Sequence, residues 1–371
     1  MDETTLALVS KQFEMLGNGM VDCPEIIGPE DSILITGAAG FVGLRLVDNL
    51  LERGFRNLRC FVRPSSAGEK LELITARYIG HRVEIIKGNL LSKSDCTNAT
   101  KGVAVIFHLA AGTSEKSFPD VFMNSVVTTR NLLEAAIEQG SLKRFVNISS
   151  FTVYTNQNKA KWRLLDESCP IETHPEVLGD AYCYAKVKQD ELVQEYGKQH
   201  RVSYVIVRPG SVYGPGKAQI TGRIGVNTFG VFLHLGGSNR IPFTYVDNCA
   251  EAIALAGLKS GVDGEVFNVV DDELPTSRTF LRLYKQQVRN FRTVYVPRAI
   301  SYLLCVLWEK YSFWSDGQLP PAFNRRRWHV EIKKTRYSNK KLKAKLGWMP
   351  KVSMDEGLNR LFQSCRESTN A

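Results

Sequence analysis

The sequence predicts an α/β fold, a doubly wound parallel sheet with a smaller and more irregular C-terminal lid. Three observations lead there. Short apolar runs rich in β-branched residues alternate with longer stretches of helical period from Ser32 onward. These runs are apolar on both faces, as strands covered by helices on each side must be. The first of them opens into a glycine-rich turn and then an amphipathic stretch, which makes the fold Rossmann-type.

The elements follow in order. Strands are expected at ILIT (33–36), LRCFV (58–62), VEIIK (83–87), VAVIFHLA (103–110), FVNIS (145–149) and SYVIV (203–207), with two later short ones near 245 and 267. Residues 1–30 precede the pattern and read as an N-terminal extension. The main domain is expected over 31–212, with strands from about 243–270 returning to it; 213–242 and 271–360 form the lid and 361–371 a tail.

The chain has 371 residues, 43% of them hydrophobic and 23% charged, which excludes disorder or a coiled coil as a whole-chain description. Its net charge of +10 is uneven: Leu274 to Lys351 holds 18 lysines and arginines against three acids, a local +15. A stretch of that sign suits nucleic acid, an anionic membrane or an anionic substrate. No nucleic-acid recognition motif accompanies it, so the expectation narrows to Arg325, Arg326, Arg327 and neighbours drawing in an anionic substrate, or peripheral membrane contact through 299–345.

Eight cysteines without a CxxC pair and six histidines without ligand spacing exclude an expected metal site and fit a reducing cytosol. The start, MDETTLALVSKQFEM, lacks the pattern of a signal peptide. The run AISYLLCVLW (299–308) is about half the roughly 20 residues of a spanning helix. A cytoplasmic protein is expected, with membrane association at most peripheral. His108 reads as a packed strand residue, and Trp308, Trp314, Trp328 and Trp348 as lid core or substrate wall.

Chemistry concentrates in two places. Thr36-Gly37-Ala38-Ala39-Gly40-Phe41-Val42-Gly43 lies between strand and helix, where Gly37, Gly40 and Gly43 allow a tight turn and close approach of a pyrophosphate to a helix N-terminus. At the end of the second strand stands Arg63, followed two residues later by Ser65 and Ser66. A guanidinium there suits the 2′-phosphate of NADP, with NAD as the alternative. Further on, Ser150 ends a strand, and Tyr182 and Lys186 are i and i+4 on one helix face. An ammonium one turn from a phenol is expected to lower its pKa, so that Tyr182 moves a proton while Ser150 holds the same substrate oxygen.

With these residues the chain resembles the extended short-chain dehydrogenase/reductase superfamily, the NAD-dependent epimerase/dehydratase group that includes 3β-hydroxysteroid and sterol dehydrogenases. The likeness spans about 31–360. It includes VIFHLAAG (105–112), NSVVTTRNLLEAA (124–136), RPGSVYGPG (208–216), FTYVDNCAEAI (243–253), GEVFNVVDDE (264–273) and the tail KLKAKLGWMPKVSMDEGLNRL. It implies a catalytic triad of Ser150, Tyr182 and Lys186, with Asn124 positioning the lysine through a water. It also implies that Phe41 and Val42 pack on the cofactor, Asn89 and Leu90 sit by the adenine, and Leu109, Ala110 and Ala111 line the adenosine-ribose passage. Lys186 would bind the nicotinamide ribose, Pro209 and Val212 would flank the nicotinamide, and the helices from Asn124 and Tyr182 would form a homodimer interface.

Four departures shape the expected function. Gly88-Asn89 stands where many relatives have Gly-Asp. Ser150 is followed by Phe151-Thr152 rather than the Thr-Asp-Glu trio of sugar dehydratases. Arg240, a candidate substrate residue, is shifted by one from the diphosphate-binding arginine of nucleotide-sugar enzymes. Tyr245-Val246-Asp247-Asn248 looks more like the sterol dehydrogenases. The expectation is an oxidoreductase acting on a secondary alcohol or ketone of a ring-sized, sterol-like or other hydrophobic substrate. The alternatives are a nucleotide-sugar epimerase retaining its NAD and a non-catalytic dinucleotide sensor.

Overall fold

The structure is a computed structural model that describes residues 24–66, 68–112, 117–155, 164–178, 180–217, 220–228, 230–315, 325–332 and 334–370. Residues 1–23 of the N-terminal extension, and the side chains of Arg326 and Arg327, lie outside that description.

The first half runs β1 (Ser32–Thr36), α1 (Phe41–Glu52), β2 (Asn57–Val62), α2 (Glu69–Thr75), β3 (Arg82–Lys87), α3 (Lys93–Thr100) and β4 (Val103–His108). There follow α4 (Phe118–Phe122), a π-helical turn (Met123–Val127), α5 (Thr128–Gln139), β5 (Arg144–Ile148), β6 (Leu164–Leu165) and α6 (Ala181–His200). The second half runs β7 (Tyr204–Pro209), β8 (Ser211–Tyr213), β9 (Gly225–Thr228), β10 (Val231–His234), β11 (Phe243–Tyr245), α7 (Val246–Leu258) and β12 (Val266–Val269). It ends with α8 (Ser277–Gln287), β13 (Thr293–Tyr295), α9 (Arg298–Trp314), α10 (Arg325–Ile332), β14 (Arg336–Tyr337), α11 (Lys340–Leu346) and α12 (Met354–Asn370).

Seven parallel strands form the central sheet in the order β12-β7-β5-β4-β1-β2-β3. Side chains alternate between its faces as strand geometry requires. Ile33, Ile35, Val105 and Phe107 enter one apolar cluster with Leu46 and Leu50 of α1 and Ile253 of α7. Leu34 and Ile106 enter the opposite one with Leu132 and Leu133 of α5 and Val193 of α6. Both faces are therefore covered, and the order reverses between β1 and β4. A crevice at a reversal, outside the strands' C-terminal ends, is where open sheets of this kind bind ligands.

Of the two late strands expected to return to the main domain, β12 does so, beside β7. The other, β11, pairs instead with β8 outside the large sheet. An additional sheet, β13-β10-β9, carries no sequence signal because its strands are three or four residues long and half polar. Residues 339–370 fold back onto the core. Trp348, 1% exposed, packs in the cluster of α1 and α7 and donates its indole N–H to the Asn248 carbonyl at 3.0 Å. The Asn248 side chain accepts in turn from the backbone N–H groups of Lys351 and Val352. Trp348 is thus core rather than substrate wall. Replacing it with Ala is expected to cost about 3–5 kcal/mol, read as a lower midpoint in urea denaturation.

Candidate functional site

The glycine loop is built for close approach. Gly37 has φ +70°, and a β-carbon there would lie 3.1 Å from the Ala110 nitrogen at the end of β4. At Gly43 a β-carbon would collide with the Gly37 carbonyl, so the first turn of α1 presses on the loop. Gly40 caps α1 without a side chain to bond its N–H groups, and no acid stands in the first turn. The partial positive charge of this helix end is left open to an anion. These features fit a dinucleotide pyrophosphate. Phe41 and Val42 lie partly buried beside Val212 of β8, and Leu109, Ala110 and Ala111 follow β4 as partly exposed lining. Pro209 ends β7 in register with Val269.

Other predicted cofactor residues fall around this loop. Arg63 is exposed two residues beyond Phe61, whose carbonyl accepts from the Gly37 N–H at 3.1 Å. The Asn89 side chain accepts from the Leu91 N–H at 3.0 Å and so closes its own turn, while Leu90 is buried. Lys217, not singled out from the sequence, sets its ammonium 5.4 Å from the centroid of the Phe41 ring, beside the open end of α1.

The residues expected to carry the chemistry meet where β5 ends against α6. Asp180 caps α6 by accepting from the Tyr182 and Cys183 N–H groups, which starts the helix so that Tyr182 and Lys186 share a face. Ser150, just past β5, accepts from the Thr152 N–H at 3.3 Å and lies close enough to the Tyr182 phenol to favour its ionised form. The Lys186 ammonium lies 5.9 Å from the centroid of the Tyr182 ring. It donates to the Ile148 carbonyl at 2.6 Å and to Gln189 Oε1 at 2.9 Å, leaving one of its three N–H bonds for the crevice.

Electrostatics depart from expectation. Burial pushes the Tyr182 phenol up to about 12, with the Ser150 hydrogen bond opposing it. In the free protein desolvation dominates, and the nearby carboxylates of Asp180 and Asp190 push the phenol the same way. Burial also brings Lys186 down to about 8, against the pull of Asp190.

Gln189 belongs to a buried chain of hydrogen bonds whose polarity can be assigned throughout. Thr129 donates to the Ser125 carbonyl at 2.6 Å, so its oxygen accepts from Gln189 Nε2 at 2.7 Å and from His108 Nε2 at 2.9 Å. His108 Nδ1 then accepts from the Thr36 hydroxyl at 2.8 Å, and Thr36 accepts from the Ala110 N–H. Burial lowers His108 to about 3, so it stays neutral. The chain links the glycine-loop strand to the lysine. Gln189 could have been suspected from its place one turn beyond Lys186; the contacts of His108 and Thr129 could not.

Two predicted residues bond to other groups. Asn124 lies in the π-helical turn and donates to the Asp120 carbonyl at 3.0 Å; among the described residues the hydrogen-bond partners of Lys186 are Ile148 and Gln189. Arg240 is exposed at a bridge to Thr276. Among the described residues no cluster of histidine, cysteine and acid could hold a metal ion.

The model of the NAD dependent epimerase/dehydratase family matches residues 33–269, more than half of the chain. The chain belongs to that family. As a member it is an enzyme of an NAD-dependent family. Sterol-4-alpha-carboxylate 3-dehydrogenase, decarboxylating, of Mus musculus is 25% identical over 345 residues, which cover 89% of this chain and 90% of that one. Cinnamoyl-CoA reductase 1 of Oryza sativa subsp. japonica is 27% identical over 190 residues, 51% of this chain and 55% of the reductase. Among solved structures, the UDP-glucuronic acid 4-epimerase of Bacillus cereus in complex with NAD superposes with a TM-score of 0.68, at 21% identity, over 91% of this family member and 99% of the epimerase. That likeness is one of fold.

The paired shifts give a pH test with a defined sign. Reduction needs the phenol and the ammonium both protonated, so its kcat/KM should hold at lower pH and fall as pH rises through about 8. Oxidation needs one proton fewer on the pair, so its kcat/KM should rise through the same range. In Lys186→Met that inflection should vanish from both profiles. Profiles with no limb near it in the unaltered enzyme would contradict this assignment.

Proposed function

We propose that the protein is a dehydrogenase or reductase that interconverts a secondary alcohol and a ketone on a ring-sized, largely apolar substrate. The observation that carries this reading is the meeting of Ser150, Tyr182 and Lys186 beside the glycine loop. In oxidation the Tyr182 oxygen takes the hydroxyl proton as the carbinol carbon gives up hydride, and Ser150 holds the substrate oxygen in place. The Lys186 ammonium stabilises the phenolate form. A bound nicotinamide supplies the hydride acceptor, or the donor in reduction.

The apolar character of the substrate is inferred from the walls beside Ser150. Phe151 stacks on Tyr337 of β14 at 5.7 Å between centroids, over Cys183, Val270 and Leu274. The sterol dehydrogenase likeness over nine tenths of the chain points the same way. Nucleotide-sugar epimerisation is the second reading, favoured by a relative of Arabidopsis thaliana named as a trifunctional UDP-glucose 4,6-dehydratase, epimerase and reductase, 25% identical over 348 residues. For the coenzyme we favour NADP, because Arg63 is exposed at the end of β2 with no carboxylate partner among the described residues.

A panel of alcohols, sterols and UDP-sugars, followed at 340 nm with added NAD or NADP, separates these readings. A dehydrogenase consumes added coenzyme in step with substrate, whereas turnover with a flat 340 nm signal would establish the epimerase. Tyr182→Phe should lower kcat about 10²–10⁴-fold at nearly unchanged coenzyme affinity. With Arg63→Asp the preference should move from NADP towards NAD.

A further inference from the structure

Helix α9 is amphipathic in the inverted sense. A helix on a soluble domain normally turns its apolar stripe to the core and its polar side to water. Here the buried residues are Ser301, Cys305 and Ser312. The residues facing solvent include Ile300, Leu303, Leu304, Leu307, Tyr311 and Trp314, from 47% to 77% exposed. Their spacing of three, four, seven, eleven and fourteen places all six within an arc of about 100°. One stripe of this length and composition, left uncovered, marks an interaction surface rather than scattered surface apolarity.

The charge around the stripe identifies what covers it. Between Leu274 and Trp308 there are six arginines and lysines and no acid. Arg278, Arg282 and Lys285 of α8 surround a shallow pocket of about 430 Å³, and no salt bridge ties any of the three to a carboxylate among the described residues. Arg278 lies over the ring of Tyr295 at 5.6 Å. Tyr295 and Val294, both about half exposed, extend the apolar surface along β13 to the start of α9. A leucine and aromatic stripe with an unpaired basic flank complements an anionic lipid surface, with acyl chains under the stripe and headgroups against the arginines.

We propose that α9, with the basic face of α8 beside it, docks the enzyme on an anionic lipid bilayer, the helix lying in the plane of the interface. Crossing is excluded by the helix itself. Its 17 residues span about 26 Å, short of a hydrocarbon core of about 30 Å. Among the described residues no helix is long and apolar enough to cross a membrane. The surface connects to the crevice: α9 packs on α10 through Cys305, Trp328 and Ile332, and β14, beyond α10, carries Tyr337 onto Phe151 next to Ser150. The docking rests on exposed side chains and charge, and so goes beyond the reaction proposed above.

Flotation of the full-length chain reads binding without any turnover. It is expected to rise with vesicles of phosphatidylcholine containing about one third phosphatidylserine, to be weaker with phosphatidylcholine alone, and to drop about tenfold or more in about 0.5 M sodium chloride. Leu304→Gln/Leu307→Gln should remain soluble with either vesicle, and Arg278→Gln/Arg282→Gln should lose the preference for phosphatidylserine. Unchanged thermal unfolding and coenzyme affinity show that both variants stay folded. Three outcomes would overturn the proposal: no flotation with any vesicle, flotation that the leucine variant retains, or a wild-type dimer that this variant converts to monomer without lipid binding. The last would make a second copy of the chain the occupant.

Discussion

The carboxylate of Asp190 is the constraint on which the site depends. Buried in α6, it accepts from Asn147 of β5 at 2.9 Å, from Ser149 just beyond β5 at 2.8 Å, and from Arg208 of β7 at 3.0 Å. One group therefore holds the helix that carries Tyr182 and Lys186 against the strand that leads to Ser150 and the strand that ends at Pro209. Burial raises its pKa, and the Arg208 guanidinium and Ser149 hydroxyl counter that shift. A buried ion pair of this kind does little for net stability, but removing one partner costs about 3–5 kcal/mol, so the arrangement is locked once formed. The helix cannot slide by a turn without stranding a charge.

Lys186 is positioned by a different device. Its ammonium would be costly to bury alone, and the fold satisfies it with a carbonyl and an amide rather than with a paired carboxylate. Because the chain through Gln189, Thr129, His108 and Thr36 has a single consistent polarity, the imidazole must be neutral and the amide can point only one way. Neutral partners leave the lysine pKa low and its charge available to the phenol. The same chain ends on the Ala110 N–H, where the glycine loop passes closest to β4, so the two halves of the site share one hydrogen-bonded frame.

The C-terminal third uses its residues differently from the sheet. Trp328 and Trp348 are buried and bonded through their indole nitrogens, as expected of core. Trp314 is 77% exposed, on the far side of a helix whose packed face is small and polar. The run 299–308 is about as apolar as a central strand, yet it is exposed on one side because α9 is anchored by Ser301, Cys305 and the neighbouring α10. Apolarity alone says only that a segment avoids water, and packing decides whether protein or another phase receives it.

The six main strands, the glycine loop and the spacing of Ser150, Tyr182 and Lys186 were legible in the sequence because each rests on local rules. These are short β-branched runs apolar on both faces, a turn that demands glycine, and an i to i+4 face. The strand near 245 pairs with β8 rather than within the large sheet, and the β13-β10-β9 sheet has no sequence signal, because strands of three or four residues pair by tertiary contact and leave no period. The pKa of Tyr182 was read in the wrong direction, because sequence shows that a lysine is one turn away but not how deeply the phenol is buried. Asn124 is expected to act on the lysine through a water; its amide donates to the Asp120 carbonyl, and the direct partner Gln189 carries no motif that names it. By itself the sequence determined the fold class and the shared helix face of Tyr182 and Lys186, which follow from short-range geometry. Only the tertiary structure decided their protonation, their hydrogen-bond partners and the outward face of α9, because burial and long-range contacts exist only once the chain has closed on itself.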